Sequence, residues 1–185
     1  MDSPIIRPAE PSDYDRIVSV MDDWWGRPVR AVLPRLFLDH FAPTSLIADD
    51  ADAASVRRAD AVPGSAGKPE PATGADGLAG FLVGFMSPSR PQEAYIHFAG
   101  VSPRHRRTGL ARRLYARFFQ LAREDGRSLI RAITSPQNAA SIAFHSALGF
   151  TVTGPVPDYH GPGADRVLFE LHLAGEAGPG TSAAA

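Results

Sequence analysis

The 185-residue chain contains no cysteine, which excludes disulfides, thiolate metal sites and a cysteine nucleophile. It has no excess of either charge: 19 Lys and Arg face 20 Asp and Glu, a formal net charge of −1. The chain as a whole is therefore no general polyanion binder, and no nucleic-acid partner is expected. No apolar run reaches the roughly 20 residues that cross a membrane. Residues 1–15 alternate charges with prolines and show no signal-peptide core. These features predict a soluble, cytoplasmic protein with no membrane partner. Residues 51–77 lack aromatics and carry only Val56 and Val62 as larger apolar side chains. Such a segment buries too little surface to offset its ordering entropy, and a disordered insertion is expected there. The small-residue tail 174–185 reads the same way. Elsewhere the 44% hydrophobic content suffices for one core, so a single domain over residues 4–173 is expected.

One stretch lacks acids and is crowded with bases. Between Glu93 and Glu124 there is no carboxylate, while Arg104, Arg106, Arg107, Arg112, Arg113 and Arg117 all fall there. A strand-like run from Tyr95 to Val101 enters it. Leu110, Leu114, Phe118, Leu121 and Ala122 leave it at helical spacing. Gly109 stands at the turn, where the absence of a Cβ allows a tight bend or a close ligand. The first N–H groups of the helix lack intrahelical partners and sit at its positive end. Strand, glycine turn, helix start and local arginines together make a cradle for a compact polyphosphate.

The segment Arg106-Arg107-Thr108-Gly109-Leu110-Ala111 also resembles the Arg/Gln-x-x-Gly-x-Gly/Ala loop of the GNAT superfamily, the Gcn5-related N-acetyltransferases, and Val101-x-Pro103 precedes it. A second stretch, Asn138 to Phe150 through Ser141, Phe144, His145 and Leu148-Gly149, resembles the same family's later motif, an Asn-initiated helix ending in Gly-Phe. The resemblance extends more loosely over residues 4–49 and 78–173. It implies an α/β GNAT fold, a mixed central sheet of about seven strands with helices on both faces. It implies acetyl-CoA as donor, with the pyrophosphate on Arg106, Arg107, Thr108, Gly109, Leu110 and Ala111. The pantetheine would lie along Ala99 and Val101, with Asn138, Ser141 and Phe144 beside it. A backbone N–H near Val101 would meet the thioester oxygen. No metal site is expected.

The residue pattern places strands at residues 4–7, 44–48, 78–86, 95–101, 129–134, 150–153 and 167–173. Ser12 reads as the cap of a first helix that ends in a loop at Trp24-Trp25-Gly26-Arg27-Pro28. A second helix is expected over 33–41, with Leu36, Phe37 and Phe41 inward. Helices also follow Gly109 and Asn138, stopping near Gly126 and at Gly149. Gly64-Ser65-Ala66-Gly67-Lys68 is no P-loop: its glycine spacing is wrong, and no Ser or Thr follows Lys68.

For catalysis, the absence of cysteine leaves direct transfer or another nucleophile. His145 stands where many family members carry Tyr, so the resemblance makes it a candidate acid toward the leaving thiolate, as an imidazolium near its usual pKa of about 6.5. Packing against the cofactor is its other reading, and Tyr115 and Tyr159 are further acids. A lysine-like amine is mostly charged at pH 7 and needs a base. His97 is one candidate, on one strand face with Tyr95, Ala99 and Val101. Glu93 is a weaker one. Trp24, Trp25 and Arg27, with Tyr159 and His160 of a later polar loop, are candidate acceptor contacts. Adjacent Trp residues point about 100° apart, so one should remain available to a ligand. The acceptor is a small-molecule or peptide amine, and a homodimer is left open. The alternative is a non-catalytic acyl-CoA-binding module acting as sensor or scaffold.

Overall fold

The computed structural model describes residues 3–51 and 77–173. The expected disordered insertion, apart from its end residues Ala51 and Gly77, and the expected disordered tail lie outside the described residues. The chain divides into two compact units, Met1–Phe85 with Tyr95–Gln120, and Met86–Ala94 with Leu121–Ala185.

In the first unit, β1 (Ile5–Pro8) pairs antiparallel with β2 (Leu46–Asp49), and β2 pairs antiparallel with β3 (Leu78–Met86). β4 (Glu93–Val101) follows in the ladder order. β3 is an unbroken apolar run, buried from Leu78 to Gly84, because both of its faces are covered. One face meets α3 (Leu110–Glu124): a Cβ at Gly80 would touch Leu110 and Leu114, and one at Gly84 would lie 2.6 Å from Phe118. The other face carries Phe81 against Trp24, and Phe85 against Phe37 and Phe41. Those partners come from α1 (Asp13–Trp25) and α2 (Leu36–Phe41).

The start of α1 departs from the expected Ser12 cap, since the Ser12 side chain makes no capping bond. Asp13 serves instead, accepting the Glu10 N–H at 2.9 Å. It can do so because arginines fix its carboxylate. Arg7 and Arg16 each bridge Asp13 and Asp49, closing a buried ring of four charges that ties β1, α1 and β2 together. Burial alone would raise the Asp13 pKa. The hydrogen bonds from Arg7, Glu10 N–H and Arg16 outweigh it and hold the carboxyl below its usual range.

The expected helix over 33–41 is shorter. A 3-10 turn spans Arg30–Val32, and Pro34 delays α2 to Leu36. Leu38, not Leu36, is buried, and Leu36 is 50% exposed.

The second unit holds β5 (Leu129–Thr134), α4 (Ala139–Ala147), β6 (Thr151–Val156) and β7 (Arg166–His172). β7 pairs antiparallel with both β5 and β6.

The arginine loop as a candidate active site

β4 runs into a 3-10 turn, Pro103–His105, and then into the arginine loop ahead of α3. Two residues of that loop have left-handed backbone, Arg107 at φ 66° and Gly109 at φ 85°. A non-glycine residue there is uncommon, so the turn is built tightly on purpose. Thr108 Oγ1 stitches it by donating to the His105 carbonyl at 2.7 Å. His105 Nε2 pairs with Asp50 at 2.9 Å, which anchors the loop to the end of β2. A Cβ added at Gly109 would meet nothing within 4 Å. The Gly109 side of the turn is open, and the N-terminus of α3 begins there. These residues fit a diphosphate: open space, oriented donors, local positive charge.

The six arginines do not all serve that space. Arg106 donates to the Trp24 carbonyl at 2.6 Å, capping the C-terminal end of α1. Arg113 donates to Ser3 Oγ and the Pro4 carbonyl, both at 2.8 Å. Arg104 and Arg107 are exposed.

α1 continues through both tryptophans and ends at Gly26 in the left-handed region, leaving Arg27 exposed beyond it. Both tryptophans reach the core, yet each stays partly exposed, and Trp24 also lines a pocket with Asp50, Ser102 and His105. Trp24 stacks on Phe81 at 5.9 Å, and Trp25 lies 6.3 Å from the same ring and 4.8 Å from Phe98. The two indoles straddle Phe81, which is how neighbours 100° apart share one core. Gly100 is needed for this, because a Cβ there would sit 2.5 Å from the Trp25 ring.

β4 breaks the simple alternation expected of it. Tyr95 stacks on Phe85, and Phe98 on Phe81. Phe81 and Phe85 lie on one face of β3. Residues three apart on β4 thus meet the same face. Between the neighbours of Gly80 and Gly84, five steps along β4 match four along β3. The strand carries one extra residue, a bulge at His97 and Phe98. His97 therefore shares a face with Tyr95, Phe98 and Gly100, and not with Ala99 and Val101.

His97 lies flat on Phe37, with centroids 3.9 Å apart and planes at 7°. Its Nε2 is 2.8 Å from the Val32 carbonyl. Burial lowers its pKa, and the bond to Val32 pulls it back only in part. Val32 and Phe37 were missed in the sequence; nothing in the pattern joins position 97 to positions 32–37.

Glu93 is no free base. Its carboxylate pairs with Arg131 at 3.1 Å and with Arg90 at 3.4 Å, while Arg131 also pairs with Glu170.

In the second unit, Asn138 is a true helix cap: its Oδ1 accepts the Ser141 N–H at 3.2 Å, and its Nδ2 donates to Thr134 Oγ1. His145 is 5% exposed. It stacks on Phe169 at 4.0 Å with 4° between planes, edge-on to Phe144 and Phe150. Its Nδ1 lies 2.8 Å from the Ser141 carbonyl and 3.3 Å from Ser141 Oγ. Burial again lowers the pKa, outweighing the Ser141 carbonyl. The expected imidazolium is thus disfavoured: near neutrality this ring is neutral, with its hydrogen committed to Ser141. Tyr115 is buried in α3 beside Phe119, and burial pushes its hydroxyl well above the usual range, away from use as an acid. Tyr159 is 46% exposed and packs on His160. Their loop is closed by its own bonds, Gly163 N–H to Asp158 and Asp158 N–H to Asp165.

The family model for the acetyltransferase (GNAT) family matches residues 37–150. The chain belongs to the GNAT acetyltransferase family. A stretch of 86 residues is 38% identical to the L-methionine sulfoximine/L-methionine sulfone acetyltransferase of Salmonella typhimurium, covering 45% of this chain and 50% of that protein. Another alignment, over 80 residues, is 39% identical to the L-amino acid N-acyltransferase MnaT of Escherichia coli, covering 42% and 46%. The chain thus spans about half the length of the curated relatives it matches. The structure of yncA from Salmonella typhimurium with its cofactor acetyl-CoA aligns at a TM-score of 0.61 and 21% identity, over 97% of this chain and 99% of that one. The expected mixed α/β GNAT fold is therefore the observed one, and acetyl-CoA is the acyl donor of the family. Among the described residues, no helix is long and apolar enough to cross a membrane.

Proposed function

We propose that this GNAT chain moves the acetyl group of acetyl-CoA directly onto the primary amine of a small molecule, with free amino acids as the best-supported class. The observation that carries the reading is the loop at Arg106–Ala111. It offers an open left-handed turn, the positive end of α3 and no carboxylate between Glu93 and Glu124. Leu110 is buried and locks the start of α3 in place, so the donors are oriented before any ligand arrives. When bound, acetyl-CoA supplies an activated thioester acyl group. The protein contributes placement and handles the amine proton. With no cysteine in the chain, a thiol acyl-enzyme is excluded and direct attack by the amine is the simplest route. The amino-acid class is favoured by the names of the two relatives, which act on L-methionine derivatives and L-amino acids.

The test is a panel of amines with acetyl-CoA, read by free thiol release. L-methionine sulfone and L-methionine stand for the amino-acid class, with a polyamine and a short peptide as contrasts. Turnover confined to the peptide or polyamine would refute the amino-acid reading. Gly109→Asp in a folded protein places a carboxylate at the diphosphate position and forces a strained φ. Calorimetry should then show acetyl-CoA affinity lowered by at least about tenfold, the scale of one lost charge-assisted contact. Unchanged affinity would refute the loop assignment.

A further inference from the structure

His97 is placed unlike any other titratable side chain of the first unit. A carbonyl oxygen can only accept, so the 2.8 Å approach of Nε2 to the Val32 carbonyl puts the ring hydrogen on Nε2. In the neutral ring the lone pair then belongs to Nδ1. Phe37 holds the ring plane. Orientation and tautomer are both set, by a backbone carbonyl and a stacked ring, from a segment 65 positions away.

The bulge matters because it brings Phe98 beside His97 on the face that carries α1 and α2. Val32, whose carbonyl meets the ring, is 45% exposed, and Leu36, next to the stacked Phe37 in sequence, is 50% exposed, so this side of the first unit presents apolar surface to solvent. Length agrees with this location. From Ser102, at the foot of the loop, back to His97 is five residues of extended strand, about 16 Å. A pantetheine arm has about as many backbone atoms as four residues, or about 14 Å. A donor seated by its diphosphate on the loop would bring its thioester to the stretch of β4 that holds His97, further back along the strand than the position near Val101 that the resemblance implied.

We infer that His97 is the general base of the transfer, acting through Nδ1, with Val32 and Phe37 as its positioning residues. This rests on the acetyltransfer reading above. The ammonium of the acceptor gives one proton to Nδ1. The freed amine nitrogen bonds to the thioester carbonyl carbon. The carbon–sulfur bond breaks, its electron pair leaves on sulfur, and the nitrogen sheds its second proton. Two protons come off nitrogen in all. One neutralises the thiolate, and the other returns to solvent from His97, restoring the neutral ring. A base of this kind must be unprotonated near neutrality, which burial provides. The charged groups on the elements around it are engaged elsewhere: Arg30 with Asp22, and Arg35 with Asp15 and Asp39. Tyr95, on the same face of β4, stacks on Phe85, and His40 of α2 tilts toward Phe41.

The experiment compares wild type, His97→Gln and His97→Phe with the best-used amine of the panel, across pH 6–10. Gln keeps a donor for Val32, and Phe keeps the stack; neither has a base. Both should lower kcat by about 10²-fold at pH 7 while the KM for acetyl-CoA stays put. The deficit should shrink toward pH 10, as the amine loses its first proton unaided. A kcat equal to that of wild type, or a deficit that ignores pH, overturns the assignment. Nitrogen NMR of the full chain gives a second reading that needs no turnover. It should show Nε2 protonated and Nδ1 bare at pH 7, and a proton on Nδ1 overturns the proposal. Should wild type bind acetyl-CoA yet acetylate no amine, the transfer reading fails, and the base assignment falls with it whatever the spectrum shows.

Discussion

His97 and His145 each lie flat on a phenylalanine, at 3.9 and 4.0 Å, and each gives one ring hydrogen to a backbone carbonyl at 2.8 Å. Burial lowers the pKa of both. They differ in which nitrogen is tied and in what surrounds the other. His97 bonds through Nε2, with Nδ1 as its basic atom, and stands half-buried beside the exposed Val32. His145 bonds through Nδ1 to the carbonyl one turn back in its own helix, and Phe144, Phe150 and Phe169 enclose it. A histidine seated by a distant segment beside exposed side chains suits the proton transfer proposed for it. One seated by its own helix inside an aromatic box is arranged for packing. On that proposal the same side chain and the same pKa direction serve two purposes, and surroundings decide which.

The largest effect should come from removing the box. Phe169 is fully buried in β7 and carries His145. Phe169→Ala should cost about 3–5 kcal/mol, a melting point lower by about 6–20 °C. A loss under about 1 kcal/mol would mean that the box is not a core element.

His145→Phe is gentler and separates packing from chemistry. It keeps an aromatic ring and gives up the bond to Ser141, a cost of about 0.5–1.5 kcal/mol. On the present reading it leaves kcat unchanged; a fall as large as that for His97→Gln would return His145 to the acid role. The pH dependence of stability sharpens the test. Both histidines titrate below about 6.5 when folded and at about 6.5 when unfolded. Above that pH both states are neutral and the full stability is present. As pH falls through the window, the unfolded chain binds protons first and stability drains away. Asp13 acts lower, since its depressed pKa keeps its contribution intact until pH falls below the ordinary carboxylate range. Melting points of wild type between pH 8 and 5 should therefore decline from about 6.5 downward, and those of His145→Phe should decline less steeply.

The legible parts of this chain were those whose signal is local. β3 and β5 match the sequence reading end to end, because each is an apolar run closed by turn residues. α3 follows from helical spacing, and the turn before it from a glycine between a strand and a helix. The failures share one cause, dependence on a partner. The β4 bulge exists only relative to β3, so the strand by itself alternates plausibly and misassigns the neighbours of His97. Glu93 looks solvated until Arg131 arrives from another strand. Leu38 rather than Leu36 faces the core because Phe37 and Phe41 seat the short α2 on Phe85 of β3, a contact with no local trace in the sequence.

The smallest effect bears most directly on the contrast between the two histidines. Phe37 is half-buried, so Phe37→Leu should cost less than about 1 kcal/mol. It thins the cover over His97 without touching the Val32 carbonyl. Since burial is the main cause lowering the His97 pKa, the ring should move back up toward its usual value. More of it is then protonated at pH 6, and the acid limb of kcat shifts to higher pH. Activity at pH 6 relative to pH 8 should fall below the wild-type ratio, while activity at pH 8 is kept. The matching change in the other box, Phe150→Leu beside His145, should cost more stability and leave the pH profile of kcat where it was. If both variants move the profile, or neither does, the two histidines are not divided between proton transfer and packing in this way.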